Sequence, residues 1–360
     1  VTHAVTTNVP YRLTRLGVVM SAEPGADLEA EGVLNPASGR SRDGRLWLLP
    51  RLVAAGNVSR VGIAEVLVRA GQPAGVRRDG VVLSPDAGWE RAHHHAGVED
   101  PRTTWIASLG VHVMSYVAFG PLGPRPALAT SQDLRSWRRL GPVHFEYTPE
   151  LDTDLNLFTN KDVVFFPEAV PGPDGELAYA MLHRPTWDLG DITGGSGDVF
   201  LPAGLDDPRP GIWISYVPAE AARKDLRALT HVRSHRLVAL PEFGYEAVKI
   251  GAGPPPLRVS QGWLLIHHGV SGTLVPGWGP QPDVRYSAGA MLLDPDDPGT
   301  VLARTPGPLL EPLMPEERRG AVSDVVFPTA IEEIDGQLFV FYGMADSSIG
   351  VARLESTEVP

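Results

Sequence analysis

Residues 337–355 read QLFVFYGMADSSIGVARLE, two short apolar runs parted by a turn. Neither run carries the 3.6-residue period of a helix, and each has the length of a strand, so the stretch reads as a β-hairpin. The same pair recurs four times upstream. RLWLLPRLV (45–53), HVMSYVAF (112–119), LAYAMLHRP (177–185) and GWLLIHHGV (262–270) are each followed by a second β pattern: RVGIAEVLV, RPALATSQDL, GIWISYVPA and YSAGAMLLD. The copies lie roughly seventy residues apart, the scale of a four-stranded propeller blade with long connections. Five copies predict an all-β, five-bladed β-propeller forming a single domain over residues 1–360.

Turn chemistry agrees. SRDGRLW, GPDGELAY and EIDGQLFV each set Asp-Gly before a strand, a strong hairpin signal. The 39 Gly and 35 Pro of the 360 residues fit a chain of short strands and many turns. Trp137 in SQDLRSWRRLGPV is expected to pack at the end of a blade. The long, Gly-rich and acidic segment 186–211 reads as a lid or a surface excursion.

A formal net charge of -12 argues against nucleic-acid or anionic-membrane partners, which excess Lys and Arg hold. With no Cys there is neither a disulfide frame nor a thiolate nucleophile. The first residues contain no signal-peptide core or membrane span, and the expectation is a soluble, cytoplasmic protein. The triple His93-His94-His95 lacks a third ligand at a recognisable spacing, and a metal role is set aside. GAGPPP runs into prolines rather than a helix, which excludes a nucleotide loop, and no serine nucleophile elbow is present. No cofactor is called for, and homo-oligomerisation is left open.

In a propeller, equivalent ends of the first strands converge on a central channel, so polar residues there are the candidates for chemistry. Glu99-Asp100-Pro101-Arg102 stands before an apolar strand, where a plain turn with an ion pair would also explain it. Lys161 leads directly into Val163, Val164, Phe165 and Phe166 and must reach water or a partner. With Arg125, His183 and Arg184 it suits an anion site, because guanidinium grips phosphate in a fork and lysine adds a point charge. Separate structural ion pairs are the alternative.

In chain order, NPASG (35–39), SRVGIAEV (59–66), GVEDPRTTW (97–105), ALATSQDLRSW (127–137), TNKDVVFFPE (159–168), MLHRP (181–185), KIGAGPPPL (249–257) and VVFPTAIEEIDGQLFVFYGMADSSI (325–349) together resemble glycoside hydrolase family 130, the β-mannoside phosphorylases. The resemblance implies a five-bladed propeller in which inorganic phosphate, as co-substrate, attacks a β-mannoside with inversion and releases α-mannose 1-phosphate. It assigns the acid to Asp100 and phosphate binding to Arg125, Lys161, His183 and Arg184. Asn35, Arg60, Lys249 and Asp346 fall in segments that resemble sugar-binding ones. It also implies that the acid delivers its proton through a mannose hydroxyl.

Such an acid holds a proton near neutrality, so burial is expected to raise the pKa of Asp100, with Arg102 turned away. Phosphate is its own nucleophile, which accounts for one carboxylate and a basic cluster instead of two paired acids. Ser260 and His267 depart from the Thr before GWL and the Tyr-His pair after it that many relatives carry. Linkage, β-1,2 or β-1,4, and acceptor sugar therefore stay open. A β-mannoside hydrolase and a mannoside-binding propeller without turnover are the competing readings, and a phosphate requirement separates the first from a phosphorylase.

Overall fold

The computed structural model describes residues 9–92, 95–121, 123–189, 199–275 and 281–358. After β1 (Tyr11–Ser21), the first blade is β2 (Gly32–Arg40), β3 (Leu46–Ala54), β4 (Val58–Arg69) and β5 (Gln72–Leu83). The second is β6 (Ala96–Ile106), β7 (Val111–Gly120), β8 (Gly123–Ser131) and β9 (Arg138–Pro142). A short β10 (His144–Phe145) leads to the third, built from β11 (Thr159–Phe165), β12 (Val170–Pro171), β13 (Leu177–Thr186), β14 (Ile212–Pro218) and β15 (His231–Ala239). The fourth holds β16 (Lys249–Ala252), β17 (Leu257–Val259), β18 (Gly262–Thr273), β19 (Asp283–Leu293) and β20 (Val301–Arg304), and the fifth β21 (Val326–Ile334), β22 (Gln337–Met344) and β23 (Ser348–Ser356).

The fifth blade borrows its outermost strand from the other end of the chain: β1 pairs antiparallel with β23, Tyr11 opposite Ser356 and Ser21 opposite Ser348. This pairing closes the ring of blades. The first two blades also join through a short parallel contact of β4 with β6 at Ser59 and Gly97. Gly97 is required there, because its φ is +118° and a Cβ would strike the Ser59 backbone.

Both faces of each blade lie against a neighbour, so second strands such as β7, VHVMSYVAFG, are buried along their whole length rather than on alternate residues. Each junction has its own apolar core. Val113 and Leu128 meet Phe165 and Met181 between the second and third blades, while Val164 and Leu182 meet Leu265 and Met291 between the third and fourth. Trp137 packs on the core between the first and second blades, as the sequence suggests.

Four blades share a buried clamp. Glu29, Glu90, Glu246 and Glu317 sit in the turns before the inner strands and accept backbone N–H groups of those turns. Each also binds an arginine of its blade's outermost strand: Arg78, Arg139, Arg304 and Arg15, respectively. Carboxylates this deeply buried, 0 to 6% exposed, are tolerable only with this degree of pairing. No described helix is long and apolar enough to cross a membrane.

Candidate active site

Three inner strands carry the same irregularity near their start. The ladder slips between Leu34 and Ala37, between Glu99 and Arg102, and between Lys161 and Val164. At each slip one residue has a left-handed backbone: Asn35 (φ 41°), Asp100 (φ 46°) and Asp162 (φ 55°). Asn and Asp tolerate this conformation best among residues with a Cβ, and a bulge re-aims the side chain it carries.

Asp100 uses one oxygen for two bonds. Its Oδ1 accepts from Asn35 Nδ2 at 2.8 Å and from an Arg51 guanidinium nitrogen at 3.0 Å. Oδ2 makes no hydrogen bond among the described residues. Arg51, nearly buried, also binds Glu99 at 2.8 Å, Ser59 at 2.8 Å and Asn57 at 3.2 Å. Burial pushes the Asp100 carboxyl up, but the charges of Arg51, Arg102 and Lys161 and the Asn35 bond hold it below the usual range. The expected rise is thus reversed, and the cause is Arg51, in a strand that otherwise reads as apolar core. Asp346, which shares this field, goes the other way: burial and the negative charges of Asp100 and Glu99 outweigh Arg51 and Lys161, raising it to about 6.

Asp162 anchors a second group. Arg184 Nε donates to its Oδ2 at 2.6 Å, His268 Nε2 stands 3.5 Å from the same oxygen, and Arg102 lies 3.6 Å from Oδ1. Against the effect of burial, the charges of Arg184 and Arg102 and the Arg184 hydrogen bond hold Asp162 well below the carboxylate range. Arg102 does turn from the Asp100 carboxylate, but it donates to the Asp100 carbonyl at 2.8 Å and to the Gly253 carbonyl at 3.0 Å. Two nodes are thereby tied together. Lys249 sits 5.6 Å from the centre of the Tyr286 ring, and burial with the nearby cations Arg184 and Lys161 lowers it to about 7. Burial likewise brings His268 to about 3, so it is neutral.

The structure therefore brings Asn35, Asp100, Lys161, Arg184, Lys249 and Asp346 into one electrostatic neighbourhood. One predicted ligand stands apart. His183 is 1% exposed and lies inside the third blade, with Nδ1 3.0 Å from Asn160 and Nε2 2.8 Å from Ser215, which in turn meets His235. The placement has a simple cause: successive strand residues face opposite ways, so with Arg184 turned to Asp162 its neighbour faces the second blade. His183 thus fills, without a buried glutamate, the place that Tyr116 and Tyr342 fill beside Glu90 and Glu317. Arg125, half-buried on β8, spends one guanidinium nitrogen on the Phe158 carbonyl at 2.6 Å. Arg60 lies on β4 opposite Leu52, beside the Ser59 that Arg51 binds, and makes no ion pair with a described residue.

His93 and His94, and residues 190–198 of the long segment, lie outside the described residues. The described start of that segment is anchored by Trp187, whose ring meets Phe158 at 5.2 Å and Trp213 at 5.6 Å. No three His, Asp or Glu side chains among the described residues are grouped to hold a metal ion. The residues that sequence reasoning passed over are Arg51 and the hub role of Asp162. A lone arginine within LWLLPRLVA was the available signal, because a buried guanidinium demands a carboxylate.

Comparison with known proteins adds independent ground. A 1,2-beta-oligomannan phosphorylase of Thermoanaerobacter is 32% identical over 267 residues, 73% of this chain and 70% of that protein. A beta-1,2-mannobiose phosphorylase of Listeria innocua is 31% identical over 265 residues, 73% of this chain but only 59% of the relative. The solved structure of beta-1,2-mannobiose phosphorylase from Listeria innocua, with beta-1,2-mannobiose, superposes with a TM-score of 0.68 at 23% identity over 97% of both chains, a likeness of fold. The sequence profile of glycoside hydrolase family 130, described as beta-1,4-mannooligosaccharide phosphorylase, matches residues 76–359. A match over most of the chain, with relatives of this similarity, makes the protein a member of glycoside hydrolase family 130.

Proposed function

We propose that the protein is an inverting phosphorylase of β-mannosides, in which an oxygen of inorganic phosphate bonds to the anomeric carbon as the glycosidic C–O bond breaks, giving α-mannose 1-phosphate. The observation that carries this reading is the asymmetry of the channel. Among the described residues Asp100 has a carboxylate oxygen without a hydrogen bond, whereas Glu99 is bound by Arg51 and Asp162 by Arg184. Lys161, Arg184 and Lys249 form the positive field in which a phosphate would sit. Named relatives that phosphorolyse β-mannosides support the same assignment.

The proton balance is closed without a separate base. Monohydrogen phosphate loses its hydrogen in becoming a mannosyl phosphate dianion, and the departing alcohol gains one, so the acid is restored on each turnover. In the resting site Asp100 is ionised. A phosphate dianion placed among Lys161, Arg184 and Lys249 offsets the positive field, which raises the Asp100 pKa when the proton is needed. Asn35 and Arg51 hold Oδ1, leaving Oδ2 to exchange the proton with a sugar hydroxyl or the leaving oxygen. Asn35, Arg60 and Asp346 are the proposed sugar contacts, with Arg125 beside the phosphate side.

The test is a panel of β-1,2- and β-1,4-mannobiose and mannosyl-glucose, each with and without phosphate. Mannose 1-phosphate formed only with phosphate is expected, and the preferred substrate names the linkage. Free mannose released equally without phosphate would establish a hydrolase instead.

A further inference from the structure

Toward the later ends of the inner strands, away from Asp100, residues of all five blades line an open cavity of about 450 Å³. Its wall is made from the later parts of the inner strands, including Ser38 on β2, Thr103 and Trp105 on β6 and Glu332 on β21. Prolines that follow β11 and β16 complete it. At about 3.3 Å per residue, Trp105 lies roughly 15 Å along β6 from Asp100. The volume is within the range, about 300–1,000 Å³, that small-molecule ligands fill.

Three features indicate that this cavity is built to hold something. Trp105 is 46% exposed although Thr104 and Ile106 on either side are buried, and contact with His112, 4.7 Å between ring centres at 52°, fixes its ring. Thr103 Oγ1 and His112 Nδ1 are buried polar atoms with no hydrogen-bond partner, on residues only 6% and 4% exposed. A buried polar atom left in that state costs about 1–3 kcal/mol unless another group satisfies it. The charged groups, by contrast, are already engaged: Glu332 accepts from Ser38 at 2.7 Å and lies 3.6 Å from Arg40, and Arg42 reaches Gln132 at 3.3 Å.

The complementary ligand is uncharged, carries hydroxyls that can both donate and accept, and has one flat apolar face for the indole. That is the chemistry of a pyranose ring. We propose that the cavity is a second saccharide site, in which a neutral pyranoside lies against Trp105 and its hydroxyls satisfy Thr103 Oγ1 and His112 Nδ1. Burial lowers His112 to about 4, so the imidazole is neutral and can both donate and accept.

Calorimetric titration of the full chain carrying Asp100→Asn with β-1,2- and β-1,4-mannobiose reads both sites without turnover. Two binding events are expected, and adding Trp105→Ala removes one while Trp105→Phe keeps it. Trp105→Ala in the otherwise unaltered enzyme should leave kcat/KM for mannobiose phosphorolysis unchanged. Thr103→Val, which keeps the side-chain volume, should weaken the second event about fivefold, the effect of one hydrogen bond. A single event in every variant, or two events indifferent to Trp105 and Thr103, overturns the proposal. Two events in a protein that forms no mannose 1-phosphate would refute the phosphorylase reading and leave this site standing.

Discussion

Asp100 and Asp162 occupy the same bulge in adjacent blades, with left-handed backbones that differ by 9° in φ (46° and 55°). Their surroundings differ. Asp162 keeps only 4% of its side chain exposed: Arg184 donates to Oδ2 at 2.6 Å, and Arg102 and His268 crowd the carboxylate at 3.6 and 3.5 Å. Asp100 keeps 15% and is held on one oxygen, by Arg51 and Asn35. One backbone device thus yields a structural hub in the third blade and, in the second, the carboxylate proposed as the acid. The neighbours, not the bulge, decide which is which.

The largest consequence should fall on the hub. Asp162→Asn leaves Arg184 and Arg102 buried without their anion and is expected to cost about 3–5 kcal/mol in denaturant unfolding. Because the folded carboxyl titrates below its unfolded value, its stabilisation is fully present above about pH 4 and fades as pH falls through the depressed folded value. The variant should accordingly show a flatter acid limb of stability against pH. An Asn variant as stable as the parent would erase the distinction between the two aspartates.

Arg51 sharpens the comparison from the other side. Arg51→Met removes the cation that holds Asp100 down, so the limb of the kcat/KM profile reporting that carboxyl should move to higher pH by about one unit or more. Arg51→Lys, which keeps the charge, should move it less. Identical profiles in all three proteins would show that Arg51 does not set the Asp100 pKa.

The smallest expected effect is at Lys249. Its ammonium is lowered to about 7, so it is charged below that pH and neutral above it. Phosphate KM should rise above neutrality more steeply in the parent than in Lys249→Met, and that variant should bind phosphate more weakly at pH 6. Parallel curves at both pH values would remove Lys249 from the phosphate field.

The repeat was plain in the sequence because second strands buried on both faces form unbroken apolar runs, as in GWLLIHHGV. The closing strand β1 was not, since YRLTRLGVVMS is half-exposed and pairs with residues more than 300 positions away. Asp100 could be picked out by its crowding with Glu99 and Arg102. Its strongest charge partner, Arg51, could not, because it comes from another blade. The orientation of His183 was hidden for a related reason: adjacent residues of a strand share a motif but not a face, and MLHRP does not say which of His183 and Arg184 turns to Asp162. The Glu–Arg clamps escaped notice because the two members of each are 49 to 302 residues apart.

The central claim is that Asp100 is the working member of the pair, and its most direct test is mannose 1-phosphate formation by Asp100→Asn beside a melting curve of the same preparation. The account predicts turnover reduced by at least about a thousandfold, in line with the loss of an essential acid, and a melting temperature close to that of the parent. Retained phosphorolysis would contradict it.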